Sequence, residues 1–80
     1  MSGKDKVVDV FSTTLGVPAD TISDETSPEN TREWDSLQSM NLVLALEEAF
    51  EVQFSTKEIV SMRNVGLVRK VLRQKGAADV

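Results

Sequence analysis

The sequence predicts an all-α fold: a four-helix bundle with a short third helix and a long first loop. Two observations carry this. Apolar residues recur at helical spacing in four separate stretches. Helix-starting residues (Asp35, Ser55, Asn64) and helix-stopping residues (Gly16, Gly76) punctuate those stretches. A length of 80 residues allows one small domain, 1–80, near the lower limit for a self-supporting core.

Met1 to Gly3 reads as a frayed terminus. The first helix is expected from Lys4 to Leu15, with Val7, Val8, Phe11 and Leu15 at helical spacing and Gly16 as its stop. The run Ser12-Thr13-Thr14 weakens its last turn, because these residues are poor helix formers. Val17 to Glu33 is the long loop, punctuated by Pro18 and Pro28. Val17 and Ile22 are its expected anchors to the core, and Pro18-Ala19-Asp20 a short turn of helix.

The second helix spans Ser36 to Phe50, about 22 Å at 1.5 Å per residue. Asp35 is its N-cap, Asp35-x-x-Gln38 forms a variant capping box, and Trp34 is placed to staple onto the first turn. Glu51 to Phe54 connects to the third helix, and Phe54 is expected in the core. Ser55 or Thr56 caps that helix, Ser55-Thr56-Lys57-Glu58 resembles a capping box, and Ile59 and Met62 face inward. Asn64 caps the fourth helix, Val65 to about Lys75, whose apolar face is Val65, Leu67, Val68, Val71 and Leu72. Gly66 inside it costs roughly 1 kcal/mol relative to Ala, which close approach of a neighbouring backbone would explain. Ala77 to Val80 reads as a disordered tail.

Composition excludes several chemistries. With no cysteine and no histidine there is no disulfide, no thiolate nucleophile and none of the usual zinc ligands. No stretch reads as a signal peptide, and no apolar run approaches the roughly 18 residues of a membrane span, so a cytoplasmic protein with no membrane partner is expected. The charge is unevenly placed. From Asp20 to Glu51 there are nine acids against one base, Arg32, which argues against a nucleic-acid partner and attracts basic protein surfaces. From Val52 to Lys75 there are six bases against one acid, Glu58. The set Arg69, Lys70, Arg73 and Lys75 reads as a solvated helix end that complements the helix dipole.

The second helix carries one apolar stripe more than a surface helix needs. Leu42, Leu46, Ala49 and Phe50 lie on one side; Leu37, Met40 and Leu44 lie on nearly the opposite side, near Glu47 and Glu48. At its head, Ser36 takes the first helical position. Its hydroxyl should face solvent at the positive end of the dipole, where an attached anion would be stabilised. The plain reading is a serine chosen to start a helix. A self-activated hydrolytic serine is implausible without a histidine.

Asp35-Ser36-Leu37, followed by an apolar helix ending Leu46-Glu47-Glu48-Ala49-Phe50, resembles the acyl carrier proteins, over nearly the whole chain. The resemblance implies that Ser36 carries a phosphopantetheine arm, delivered from coenzyme A by a phosphopantetheinyl transferase. Ser39, one turn on, is the rival acceptor but lacks the Asp-Ser-Leu context. The resemblance makes Asp35, Leu37, Met40, Leu44, Glu47 and Glu48 a docking face for acyl-loading and acyl-transferring enzymes with basic surfaces. It makes Leu42, Leu46, Phe50, Phe54, Ile59, Met62 and Val68 both core and a pocket that can sheath an acyl chain.

The implied protein is a monomeric carrier, not an enzyme, of fatty-acid, polyketide or related biosynthesis. Family members frequently have acidic residues where this chain has Gln38 and Asn41, and Trp34-Asp35-Ser36-Leu37 is similar to carriers outside primary fatty-acid synthesis. Both departures imply a dedicated set of partners. Two other readings stay open: an aminoacyl or peptidyl cargo, and a helical protein-interaction domain with no prosthetic group.

Overall fold

Local capping sets the start of every helix in the computed structural model, which describes residues 5–77. Helix α1 is Lys6–Leu15, α2 is Ser36–Phe50, α3 is Thr56–Ser61 and α4 is Val65–Gln74; a 3₁₀ turn spans Ala19–Thr21. No strand occurs among the described residues. The expected four-helix architecture, with its short third helix and long first loop, is therefore observed. Met1 to Gly3, Lys4 and residues 78–80 lie outside the described part, while Ala77 packs against the core.

Helix α1 starts later than periodicity suggested because Asp5 is its N-cap. Asp5 is extended, and its Oδ1 accepts the Val7 and Val8 N–H groups at 3.1 and 3.3 Å. The weak Ser12-Thr13-Thr14 turn stays helical because Gly16 closes it at φ 71° and the Ser12 hydroxyl donates to the Val17 carbonyl at 2.6 Å. Ser55 and Glu58 form the expected reciprocal capping box on α3.

The long loop is ordered by its own side chains. Thr26, buried, accepts the Ser23 N–H through Oγ1 at 2.9 Å, and Asn30 spans the Ser27 N–H and the Glu25 carbonyl at 2.9 and 2.8 Å. Two loop carbonyls then cap α4: Asp24 O accepts the Gly66 N–H and Thr26 O the Val65 N–H, both at 3.0 Å. Asn64 Oδ1 takes the Leu67 N–H at 2.7 Å, so three orphan donors of the first turn are satisfied. The glycine at 66 has its reason here. A Cβ there would sit 3.3 Å from both the Asp24 carbonyl oxygen and the Asp24 Cβ.

The core joins Val7, Phe11 and Leu15 of α1, Leu42, Val43, Leu46 and Phe50 of α2, and Val65, Val68, Val71 and Leu72 of α4. Trp34, Phe54 and Met62 enter it from the connectors, and Val17, Ile22 and Ile59 pack against it. Val8 and Leu67, expected on apolar faces, are only half-buried.

The basic end of α4 is not the solvated surface expected. Arg69 donates through Nη1 to Asp5 Oδ1 at 2.9 Å, through Nη2 to Asp5 Oδ2, and through Nε to Asp24 Oδ1 at 2.8 Å. One guanidinium thus ties α4 to the cap of α1 and to the loop. Its hydrogen bonds hold the Asp5 carboxyl below the usual carboxylate range and raise Arg69 itself. Lys75 pairs with Glu58 at 2.9 Å and lies over the Phe54 ring, and that hydrogen bond lowers the Glu58 carboxyl. Lys70 and Arg73 remain exposed.

Candidate functional site

Ser36 stands exposed at the head of α2. Asp35 is extended and accepts the Gln38 N–H at 2.9 Å, and its carbonyl accepts the Ser39 N–H at 2.9 Å. Among the described residues the Ser36 hydroxyl and the N–H groups of Ser36 and Leu37 have no hydrogen-bond partner. The capping box is half-formed. Gln38 does not reach back to the cap; its Oε1 accepts from Asn41 Nδ2 at 2.9 Å, so a neutral amide pair lies one turn from Ser36.

The two serines of this turn have separate tasks. Ser39 is half-buried, and its Oγ accepts the Trp34 indole N–H at 2.9 Å. Trp34 is therefore no hydrophobic staple, because the residue it meets across the turn, Ser39, is polar. Its ring instead packs edge-to-face on Phe11, with centroids 5.1 Å apart.

Leu37, Met40 and Leu44 are 72%, 58% and 61% exposed. They follow Ser36 along one side of α2 for about two turns, and exposed Glu48 comes one turn later. Glu47 differs from Glu48. It is half-buried, and Oε2 accepts the Phe54 N–H at 2.9 Å, which fastens the connector to α2. On α3, Val60 is exposed as well, a residue periodicity could have flagged. Once Ile59 turns inward, its neighbour must turn outward.

Between the helices lies an apolar cavity of about 80 Å³. Five of the seven expected pocket residues line it: Leu42, Leu46, Ile59, Met62 and Val68. Phe50 and Phe54 do not. Phe50 lies under Lys6, whose Nζ is 4.8 Å from the ring centroid, and Phe54 lies under Lys75. Phe11, Trp34 and Val43 complete the wall, and Ser39 and exposed Met40 line it one turn from Ser36. Val43 was legible, since it precedes Leu46 and Phe50 by three and seven residues. Phe11 and Trp34 were not, because only the tertiary packing of α1 brings them there.

Residues 5–72 match the family model for the phosphopantetheine attachment site. The chain belongs to the acyl carrier protein family. Its curated relatives include an acyl carrier protein of Syntrophobacter fumaroxidans (strain DSM 10017 / MPOB), 36% identical over 73 residues that cover 91% of this chain and 90% of the relative. Another, of Bdellovibrio bacteriovorus (strain ATCC 15356 / DSM 50701 / NCIMB 9529 / HD100), is 33% identical over 73 residues, 91% and 94% of the two chains.

As an acyl carrier protein the chain bears a covalently attached phosphopantetheine and is a carrier rather than an enzyme. The family works with a phosphopantetheinyl transferase and acyl-handling enzymes. The head of α2 suits such a group. An anionic phosphodiester is favoured where first-turn N–H groups are unpaired and the helix dipole is positive. Among the described residues no helix is long and apolar enough to cross a membrane.

Proposed function

We propose that Ser36 is the attachment residue, and that this single-domain, monomeric carrier presents acyl intermediates to a dedicated set of cytoplasmic biosynthetic enzymes. The observation that carries the reading is the contrast within one helical turn. The Ser36 hydroxyl is exposed and unengaged, whereas the Ser39 hydroxyl is half-buried and holds an indole. On attachment, Ser36 Oγ bonds to the phosphorus of the pantetheine-bearing phosphate. Its proton passes to the transferase, and the pyrophosphate P–O bond of coenzyme A breaks as the nucleotide leaves. When bound, the arm supplies the thiol that a cysteine-free chain lacks. Asp35 orients Ser36 by starting the helix there.

Leu37, Met40 and Leu44 offer partners an apolar strip, and Met40 adapts to differently shaped surfaces. Asp35 and Glu48 flank it with negative charge that steers basic partners, and Glu47 adds charge while holding the connector. The neutral Gln38–Asn41 pair on the same helix supports partners selected by shape more than by charge near the serine.

The test is site mapping. The carrier is incubated with coenzyme A and a phosphopantetheinyl transferase, digested with trypsin, and the peptide 33–57 is fragmented. The added mass should fall on Ser36. Mass on Ser39 would overturn the assignment.

A further inference from the structure

We propose that Met40 is a modification site. A peroxide oxidises its sulfur to the sulfoxide, and the oxidised carrier is refused by enzymes that act on Ser36 until a thiol-dependent reductase restores it. This regulation rests on the carrier reading above. Met40 stands four residues after Ser36, one turn and about 6 Å along α2. It lies between Leu37 and Leu44 on the exposed strip and is itself 58% exposed. A protein interface covers about 800 Å² per partner, far more than one helical turn presents. An enzyme that closes over the Ser36 hydroxyl therefore covers the Met40 thioether as well.

Exposure and chemistry single this atom out. The chain has three methionines and no cysteine. Of the two methionines among the described residues, Met62 is only 8% exposed and belongs to the core. Trp34, the other oxidisable side chain near Ser36, is 5% exposed. Leu37 and Leu44 offer a peroxide no lone pair. In the reaction the Met40 sulfur takes one oxygen from hydrogen peroxide: an S–O bond forms, the O–O bond breaks and water leaves. The sulfur loses two electrons and the peroxide gains them. A flexible apolar side chain becomes a polar, chiral one. On the strip, an adaptable contact is thus replaced by a group that an apolar partner surface must desolvate without a hydrogen bond. The packing that holds α2 comes from Leu42, Val43, Leu46 and Phe50, so the fold survives the change.

The experiment treats the carrier, before its arm is attached, with dilute hydrogen peroxide and then removes the peroxide. Coenzyme A and a phosphopantetheinyl transferase follow, and intact mass reads the rate of loading. Trypsin places the three methionines on separate peptides, 1–4, 33–57 and 58–63, so each sulfoxide is counted by itself. Oxygen should appear on 33–57 well before 58–63, and fragmentation should place it on Met40. kcat/KM for loading should then fall about tenfold, as expected when a polar group is buried without a partner. Thermal unfolding should stay close to that of the untreated protein. Methionine sulfoxide reductases for both epimers, supplied with a dithiol, should restore the rate. In Met40→Leu, kcat/KM after peroxide should equal that variant's own value before it. Met62→Leu should keep the sensitivity of the wild type.

Unchanged loading once Met40 is oxidised, or oxidation of Met62 as fast as Met40, would overturn the modification site alone. So would a Met40→Leu protein that peroxide slows as much as the wild type. Absence of added mass on the untreated, folded wild type would overturn the carrier reading, and the regulation with it.

Discussion

Replacing Glu47 and Glu48 in turn with lysine separates docking from architecture. The two are adjacent in sequence and identical in chemistry, but only Glu47 accepts the Phe54 N–H, at 2.9 Å in a half-buried setting. Glu47→Lys removes that acceptor and leaves the donor unpaired. Such a loss costs about 1–3 kcal/mol for a buried group, and partial exposure puts it near the lower end, about 1–2 kcal/mol. For a domain of this size that lowers Tm by roughly 5–15 °C. Glu48→Lys touches nothing in the fold and should stay within about 0.5 kcal/mol. Glu47→Gln keeps an amide oxygen for the bond and should recover most of the loss. Thermal unfolding by circular dichroism reads all three, and acyl transfer to a partner enzyme, assayed well below each Tm, should slow for Glu48→Lys. Equal melting of the two lysine variants, or a Glu47→Lys protein that melts with the wild type, would rule out a structural role for the Glu47–Phe54 bond.

Three further outcomes follow from local geometry. Asp5→Asn keeps an N-cap but removes the charge held by Arg69, so it should cost about 0.5–1 kcal/mol at pH 7, a figure reduced for the partial exposure of Asp5. Because the folded pKa of Asp5 lies below the ordinary value near 3.9, this stabilisation is complete above that value and lost as pH falls through the folded pKa. Urea unfolding should therefore show the wild type and Asp5→Asn converging as the pH is lowered below about 4. Glu51 closes α2 with φ 56° at the negative end of the dipole, so Glu51→Gly should stabilise by roughly 1 kcal/mol in the same assay. Gly66→Ala should destabilise by about 1 kcal/mol despite the better helix propensity, since Asp24 O, bonded to the Gly66 N–H, must give way to the new methyl.

The elements legible in the sequence were those whose signals are local. Asp35, Ser55 and Asn64 cap the helices expected of them, because a cap and its target lie within four residues. Gly66 announced a close approach but not by what. The clamp of Arg69 on Asp5 joins residues 64 positions apart, so nothing local could pair them, and a basic helix end read as solvated. Trp34 was misread for a related reason. Its place ahead of the cap was visible, but its edge-to-face seat on Phe11 depends on how α1 packs against the head of α2. The exposed strip of Leu37, Met40 and Leu44 was legible as a surplus, because no helix of a small bundle can bury two opposite faces.

The carrier function rests on Ser36, and intact mass reads its modification without a partner enzyme. Wild type, Ser36→Ala and Ser39→Ala, each shown to be folded, are incubated with coenzyme A and a phosphopantetheinyl transferase. Wild type and Ser39→Ala should each gain one phosphopantetheine and Ser36→Ala none. An unmodified wild type, or a modified Ser36→Ala protein, would contradict it.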